Sequence, residues 1–340
     1  MRILFNHHLS SLPDVISLMR AAVPDLVVIA TDQRAGHRVS EVADHFEQEP
    51  GTDRDRMPDW YPDWLLDRAR GHGAELLIPY RHRVEISAAR DRLQTGPVRI
   101  LHAGTAEVVD LIEDKGRFLR RAEEIGIRVT PFLTFLDGDG FSRALEEMRD
   151  LHPGRPLCVK PVVGIYGAGF RTLLTEEEAR RLGPADLGPV PIRPTEYRAL
   201  LDLHGGGREI MLMPLMRDPE RSVDFACLDG VLLGAVSRLK GGSEQMVGPD
   251  PVGLEMARRL VKDMRLSGLL NLQTMEDLDG EQHLLELNGR MSGGVGITGL
   301  SGVNLPGLLL RALRGEIPNA PVTPEATHRV VRRDLYALRP

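Results

Sequence analysis

The sequence predicts a chain of mixed α/β and α+β class: a small amino-terminal domain built on a parallel sheet, then a larger α+β body carrying a mobile subdomain. Three observations predict it. Short apolar runs alternate with helix-periodic stretches over the first hundred residues. A β-rich run, 157–161, ends in Lys160-Pro161 and leads into three closely spaced glycines. Two further β runs, 269–274 and 283–287, flank an Asp279-Gly280 turn.

In chain order, residues 2–5 and 26–30 are strand-like and enclose a helical stretch over 15–22. The pattern returns at 76–79 and 98–102 after a helical stretch at 64–70, so residues 1–105 read as one parallel α/β domain. The first strand-to-helix turn, 5–11, holds no glycine, which excludes the dinucleotide fingerprint. His7 and His8 fall at the carboxyl end of the first strand, where open α/β sheets bind ligands, and are candidate substrate contacts. Residues 44–63, polar and broken by Pro50, Pro58 and Pro62, read as a surface excursion around a packing knot of Trp60, Tyr61 and Trp64.

The body, 106–340, opens with a helical run at 108–113. Asp114 then caps a second helix running through Ile125 and stopped by Gly126. Lys115 stands at the positive end of that helix, which points to an anionic partner, with a solvated surface lysine as the alternative. Gly164, Gly167 and Gly169 let backbone amides approach an anion that Lys160 can also reach; alone, the run also suits an ordinary turn, and it is not a Walker A loop. The irregular stretch 183–194 and the triplet 205–207 bracket a helix over 196–204, which marks the mobile part. Arg238 and Lys240 lie two apart on a strand and face one way, towards a phosphate or a substrate carboxylate, or else on a solvated edge. Alternation puts Glu286 and Asn288 on one strand face with Arg290 just beyond, and Gln273 lies on the preceding strand. Hard oxygen donors of this kind suit a magnesium ion that shares phosphate oxygens.

Composition narrows the chemistry. The net charge of −6 and the 4% aromatic content exclude the basic, aromatic-studded surface of a nucleic-acid binder. Cys158 and Cys227 sit in apolar runs and read as small hydrophobes. No apolar run reaches the ~18 residues that span a bilayer, and the start of the chain lacks a signal-peptide core, so a cytoplasmic protein is expected. Lysine occurs only at 115, 160, 240 and 262, every other one of the 43 cationic residues being arginine. Lys262, in the helical run 254–264, matches no motif, whereas the other three mark places where a compact charge suits a phosphate.

Lys115, the glycine loop 160–170, the strand 221–224 with its Asp229-Gly230 turn, Gln273 and the run Glu286-Leu287-Asn288-Gly289-Arg290 share an order and spacing. In these the chain resembles the ATP-grasp superfamily, most closely the branch of carbamoyl-phosphate synthase large-subunit domains and carboxylate–amine ligases. The resemblance spans nearly the whole chain: an amino-terminal domain (1–105) and an ATP-grasp body (106–340) with a lid over about 155–212. It implies a nucleotide clamped between two α+β halves, Lys115 and Lys160 on phosphates, and the 164–169 loop folding over them. The strand 210–215, with Met211, Met213 and Leu215, becomes the adenine hinge. The chain departs from the family there, because Met213 followed by Pro214 stands where a glutamate is common, and Glu220 is the substitute ribose contact. Gln273, Glu286 and Asn288 become the metal positions. Arg290, with Arg238 and Lys240, is assigned to the reacting groups.

The reaction implied is amide formation: ATP phosphorylates a carboxylate and an amine attacks the acyl phosphate, releasing ADP and phosphate, with Mg2+ as the metal and Mn2+ a permitted substitute. The partners implied are a small carboxylate and a small amine, with neither nucleic acid nor membrane, and room for a homodimer. Two other readings stay open, an ATP-dependent carboxylase or carbamoyl-phosphate-type enzyme acting on bicarbonate, and a non-catalytic ATP-binding regulator.

Overall fold

A computed structural model of the chain describes residues 1–6, 11–51, 59–93, 96–164, 168–181, 191–205, 207–241 and 244–331. Contacts divide the chain into two compact units. One holds Met1–Ile112, Pro219–Thr274 and the chain from Leu287 onward; the other holds Glu113–Asp218 and Met275–Glu286.

The first unit opens on five parallel strands, β1 (Arg2–Asn6), β2 (Val27–Asp32), β3 (His45–Gln48), β4 (Leu76–Ile78) and β5 (Arg99–Ile100), in the order β3-β2-β1-β4-β5. Ile3, Leu4, Phe5 and Asn6 are all fully buried, as expected of a central parallel strand covered on both faces. One face takes the helix Leu12–Ala22, whose Leu12, Val15, Ile16 and Met19 repeat at helical spacing and pack with Ile3, Phe5 and Val28. The other face takes the helix Tyr61–Gly71, which buries Tyr61, Leu65, Leu66 and Ala69 against Leu4 and Ile29. Strand β3 lies inside the stretch expected to be an irregular excursion. Its sequence, HFEQ, is short and half polar because it forms the sheet edge, so it carries no buried-strand signature.

The second unit contains β6 (Leu133–Phe135), β7 (Leu157–Pro161), β8 (Arg171–Leu173), β9 (Pro191–Ile192) and β10 (Ile210–Pro214), ordered β6-β10-β7-β8-β9. The helices Gly138–Leu151 and Pro194–His204 meet through Phe141 and Tyr197, whose rings stand edge to face 5.2 Å apart over that sheet's core.

A six-stranded sheet follows: β11 (Arg217–Leu228), β12 (Val231–Gly241), β13 (Glu244–Gly248), β14 (Gly268–Glu276), β15 (Gln282–Asn288) and β16 (His328–Val331), in the order β15-β14-β11-β12-β13-β16. The Asp229-Gly230 turn joins β11 to β12 with positive φ at both residues, the twist that suits a two-residue hairpin. In the helix Pro251–Met264, Asp250 accepts from Gly253 N at 3.1 Å and Pro251 fills the first turn. Among the described residues, no helix is long and apolar enough to cross a membrane.

Candidate active site

Within the second unit, three separate stretches of sequence meet at Lys115. Asp114 caps the helix Lys115–Glu124 by accepting from Arg117 N at 2.8 Å, which fixes Lys115 as its first residue. The Lys115 ammonium donates to the carbonyl oxygen of Gly164 at 2.7 Å and lies 3.7 Å from the Glu286 carboxylate. A backbone hydrogen bond from Lys115 N to Val162 O, at 3.4 Å, ties the helix start to the same loop. The glycine loop, the helix-start lysine and the acidic strand residue are thus neighbours, although some 50 and 170 residues apart in sequence.

Lys160 is the fourth residue of β7, half-buried and paired in register with Met211 of β10. At Gly164 an added Cβ would stand 3.8 Å from the Pro161 side chain, an ordinary contact. At Gly169 φ is +80°, and an added Cβ would stand 2.8 Å from the Pro161 ring, so both backbone and space require glycine. Gly167 lies outside the described residues, as do His7 and His8. Met211 and Met213 are buried in β10, and the Leu215 amide donates to Pro156 O at 2.7 Å. Burial pushes the Cys158 thiol up to about 12, Lys160 opposing it, and burial also raises the Cys227 thiol well above its ordinary value with Asp229 adding to it, as inert core thiols should.

The first unit carries a buried polar network. Arg238 is 3% exposed; its Nε donates to Asp224 Oδ2 at 2.7 Å, Nη2 to Ser292 Oγ at 2.9 Å and Nη1 to Gln245 Oε1 at 3.1 Å. Asp224 also accepts from Asn271 Nδ2 at 3.0 Å, and Asn288 Nδ2 stands 3.5 Å from Asn271 Oδ1. The guanidinium therefore joins Asn288 to the turn after Arg290, where Ser292 Oγ in turn accepts from Gly294 N at 3.1 Å. A Cβ on Gly294 would stand 2.3 Å from the Arg238 guanidinium, so that turn closes only over glycine. Lys240, two residues along β12, pairs with Glu220 instead. Gln273 is half-buried on β14.

Arg290 donates to Met291 O at 3.2 Å and lies over the Tyr80 ring, 5.5 Å from its centroid. With Tyr80, Arg83 and His102 it lines a cavity whose remaining walls include Leu101 and Met291. Burial, reinforced by the Arg90 charge, lowers His102 to a pKa of about 4, so its imidazole is neutral at physiological pH. Asp224, Asn271 and His102 were not picked out by the sequence as site residues. Asp224 and Asn271 sit on strand faces where alternation indicates burial, and a buried polar residue inside an apolar run is the signal that could have found them.

A family model described as ATP-grasp in the biosynthetic pathway with Ter operon matches residues 207–334. The carbamoyl phosphate synthase large chain of Thermotoga neapolitana is 27% identical over 230 residues, covering 64% of this chain and 19% of that protein, so the chain spans about a fifth of that relative's length. The N5-carboxyaminoimidazole synthetase of Staphylococcus aureus, in its ADP complex, superposes with a TM-score of 0.68 at 12% identity over 96% of this chain and 81% of that one. The biotin carboxylase domain of the 2-oxoglutarate carboxylase of Hydrogenobacter thermophilus, crystallised with MgADP, ADP and bicarbonate, superposes with a TM-score of 0.66 at 18% identity, covering 94% and 71%. These likenesses show a common fold.

Proposed function

We propose that the chain is an ATP-grasp protein, a reading supported by the family model over residues 207–334 and the carbamoyl phosphate synthase relative, and an ADP-forming ligase that activates a carboxylate with ATP and joins it to an amine. The observation that carries this reading is the Lys115 ammonium, held 2.7 Å from the Gly164 carbonyl and 3.7 Å from Glu286. A compact cation, a glycine loop and a carboxylate at one point are what a nucleotide's phosphates and their cation require.

The donor set fits a magnesium ion. Glu286, Asn288 and Gln273 supply one carboxylate and two amides, all hard oxygens. Bound there, the ion would draw charge from the phosphate oxygens during transfer.

The chain's own residues do the rest. Lys115, beside the Gly164 carbonyl, and Lys160 neutralise phosphate charge. Arg290 holds the carboxylate whose oxygen attacks the γ-phosphorus as the bond to ADP breaks. The amine nitrogen then attacks the acyl carbon, phosphate leaves, and the amine proton passes to phosphate or solvent. Arg238 acts by positioning: through Asp224 and Asn271 it sets Asn288, and through Ser292 it sets the turn after Arg290. Lys240 and Glu220, as a pair, take a substrate carboxylate or the ribose.

Incubation with ATP, magnesium, a panel of small carboxylic acids and hydroxylamine tests the reading. We expect acid-dependent ADP release with hydroxamate, and a fall of at least a hundredfold in Glu286→Ala and Arg290→Ala. ADP release that depends on bicarbonate alone would favour a carboxylase, nucleotide binding without ADP a regulator, and full turnover in either variant would remove that residue from the chemistry.

A further inference from the structure

A second cavity, of about 190 Å³, lies in the first unit where the edge strand β5, the Asp229-Gly230 turn and the end of the helix Pro251–Met264 come together. Its lining includes Arg90, Arg99, His102, Thr105, Asp229 and Arg265. Three guanidinium groups thus share one space with a single carboxylate, and none of the three has a part in the ligase reading. The frame around them is pinned by hydrogen bonds. Asp229 N donates to Ser267 Oγ at 2.8 Å, Ser267 Oγ donates to Asp229 Oδ1 at 3.2 Å, and Ser267 N donates to Ala103 O at 3.0 Å. Asp229 does little to neutralise the arginines. It stands 3.8 Å from Arg99 with both side chains at least half exposed, and an ion pair so long and so wet holds weakly.

Arg265 gives the sharper sign. It ends the helix Pro251–Met264 in the left-handed region, at φ +49° and ψ +47°, with its N–H bonded to Val261 O. Glycine is the residue that suits such a helix end, and a side chain there is held at a steric cost. The Arg265 side chain is exposed, so burial does not repay that cost, whereas a ligand for its charge would. The wall adds a second unsettled group. His102 is 7% exposed, and its Nε2 has no hydrogen-bond partner among the described residues. Leu101, His102 and Ser267 also line the cavity that holds Arg290, so one wall serves both spaces.

We propose that this cavity is an anion site of its own and takes a small phosphate monoester, Arg265 and Arg99 holding the phosphate and Arg90 adding its charge. The terminal oxygens of a phosphate dianion accept from planar guanidinium forks two at a time, which matches an arginine-lined space better than a lysine one. The volume lies below the range that drug-sized ligands occupy, which selects a phosphate on a short organic group. The proposal stands apart from the ligase reading, because it uses none of the residues given to the nucleotide or to the activated acid.

The test is calorimetric titration of the full chain with glycerol 3-phosphate, ribose 5-phosphate and phosphoserine, with inorganic phosphate as a further arm and saturating MgADP present throughout. We expect at least one ester to bind, and to bind more tightly than inorganic phosphate. Arg265→Gly should weaken that binding tenfold or more with Tm unchanged or raised, since glycine suits the left-handed helix end, so a folding defect cannot explain the loss. Arg99→Gln should weaken it several-fold, and Lys115→Ala should leave it unaltered. No binding by any ester, or equal affinity in both arginine variants, overturns the proposal. Loss of binding in Lys115→Ala alone would assign the phosphate to the glycine loop and overturn it too, and inorganic phosphate binding as tightly as every ester would overturn the choice of a monoester. The hydroxylamine assay judges the ligase reading separately, because hydroxamate depends on the activated acid and not on this cavity.

Discussion

Lys115 meets two opposite demands with one nitrogen, donating to a carbonyl of the glycine loop while standing beside the Glu286 carboxylate. Its partners explain why lysine is kept there in a chain that otherwise uses arginine: a compact ammonium fits where a planar fork would splay. His102 gives a residue-scale prediction of a different kind. The folded chain holds its pKa at about 4, against 6.5 for the free ring, because burial disfavours the charged form. As pH falls below 6.5 the unfolded chain takes up a proton that the folded chain refuses. Stability is therefore full above that pH and declines down to about pH 4, by about 3 kcal/mol in all. His102→Gln should flatten the pH dependence of the unfolding free energy across that window, measured by urea denaturation at pH 7, 5.5 and 4.5. An unaltered slope would mean that this imidazole does not resist protonation.

At the scale of elements, the helix Lys115–Glu124 was legible from its first residues because a cap is a local device. Asp114 accepts from Arg117 N three residues on, and Gly126, at φ +76°, ends the run. Asp114→Ala should cost about 1 kcal/mol, seen as a lower denaturation midpoint, and should weaken ATP binding through the loosened Lys115. A stability loss with ATP affinity intact would separate the helix from nucleotide binding. The hairpin of β14 and β15 was equally legible, since alternation placed Glu286 and Asn288 on one face, and both are half-buried on either side of buried Leu287. Strand β3 was not, because an edge strand of four residues needs no apolar run. Nor was the burial of Arg238: strand spacing gives the face on which a side chain lies, but not that Asp224, Gln245 and Ser292 will enclose it.

For the whole molecule, any ligand that binds the folded chain alone stabilises it. MgADP at a hundredfold excess over its dissociation constant should add about 2.7 kcal/mol, a rise of roughly 4 °C in Tm for a chain of this length. EDTA should reverse most of that rise with ADP still present, if Glu286, Asn288 and Gln273 hold a metal that holds the nucleotide. An identical shift with and without EDTA would count against the metal positions. The two compact units follow contacts, whereas the functional division at about residue 105, with a lid over about 155–212, belongs to the proposed mechanism and is tested by whether bound nucleotide protects that stretch from proteolysis.

By itself the sequence determined what depends on neighbours along the chain: the alternation that makes strands, the caps that start helices, the glycines that permit a tight loop, and the ordered motifs that mark the superfamily. Tertiary structure decided which distant groups share an environment. It set Lys115 against Gly164 and Glu286, sealed Arg238 inside a polar network, and gathered Arg90, Arg99 and Arg265 around one cavity. The reason is physical. Backbone preferences act over a few residues, whereas burial and charge pairing depend on distances that exist only once the sheets have packed.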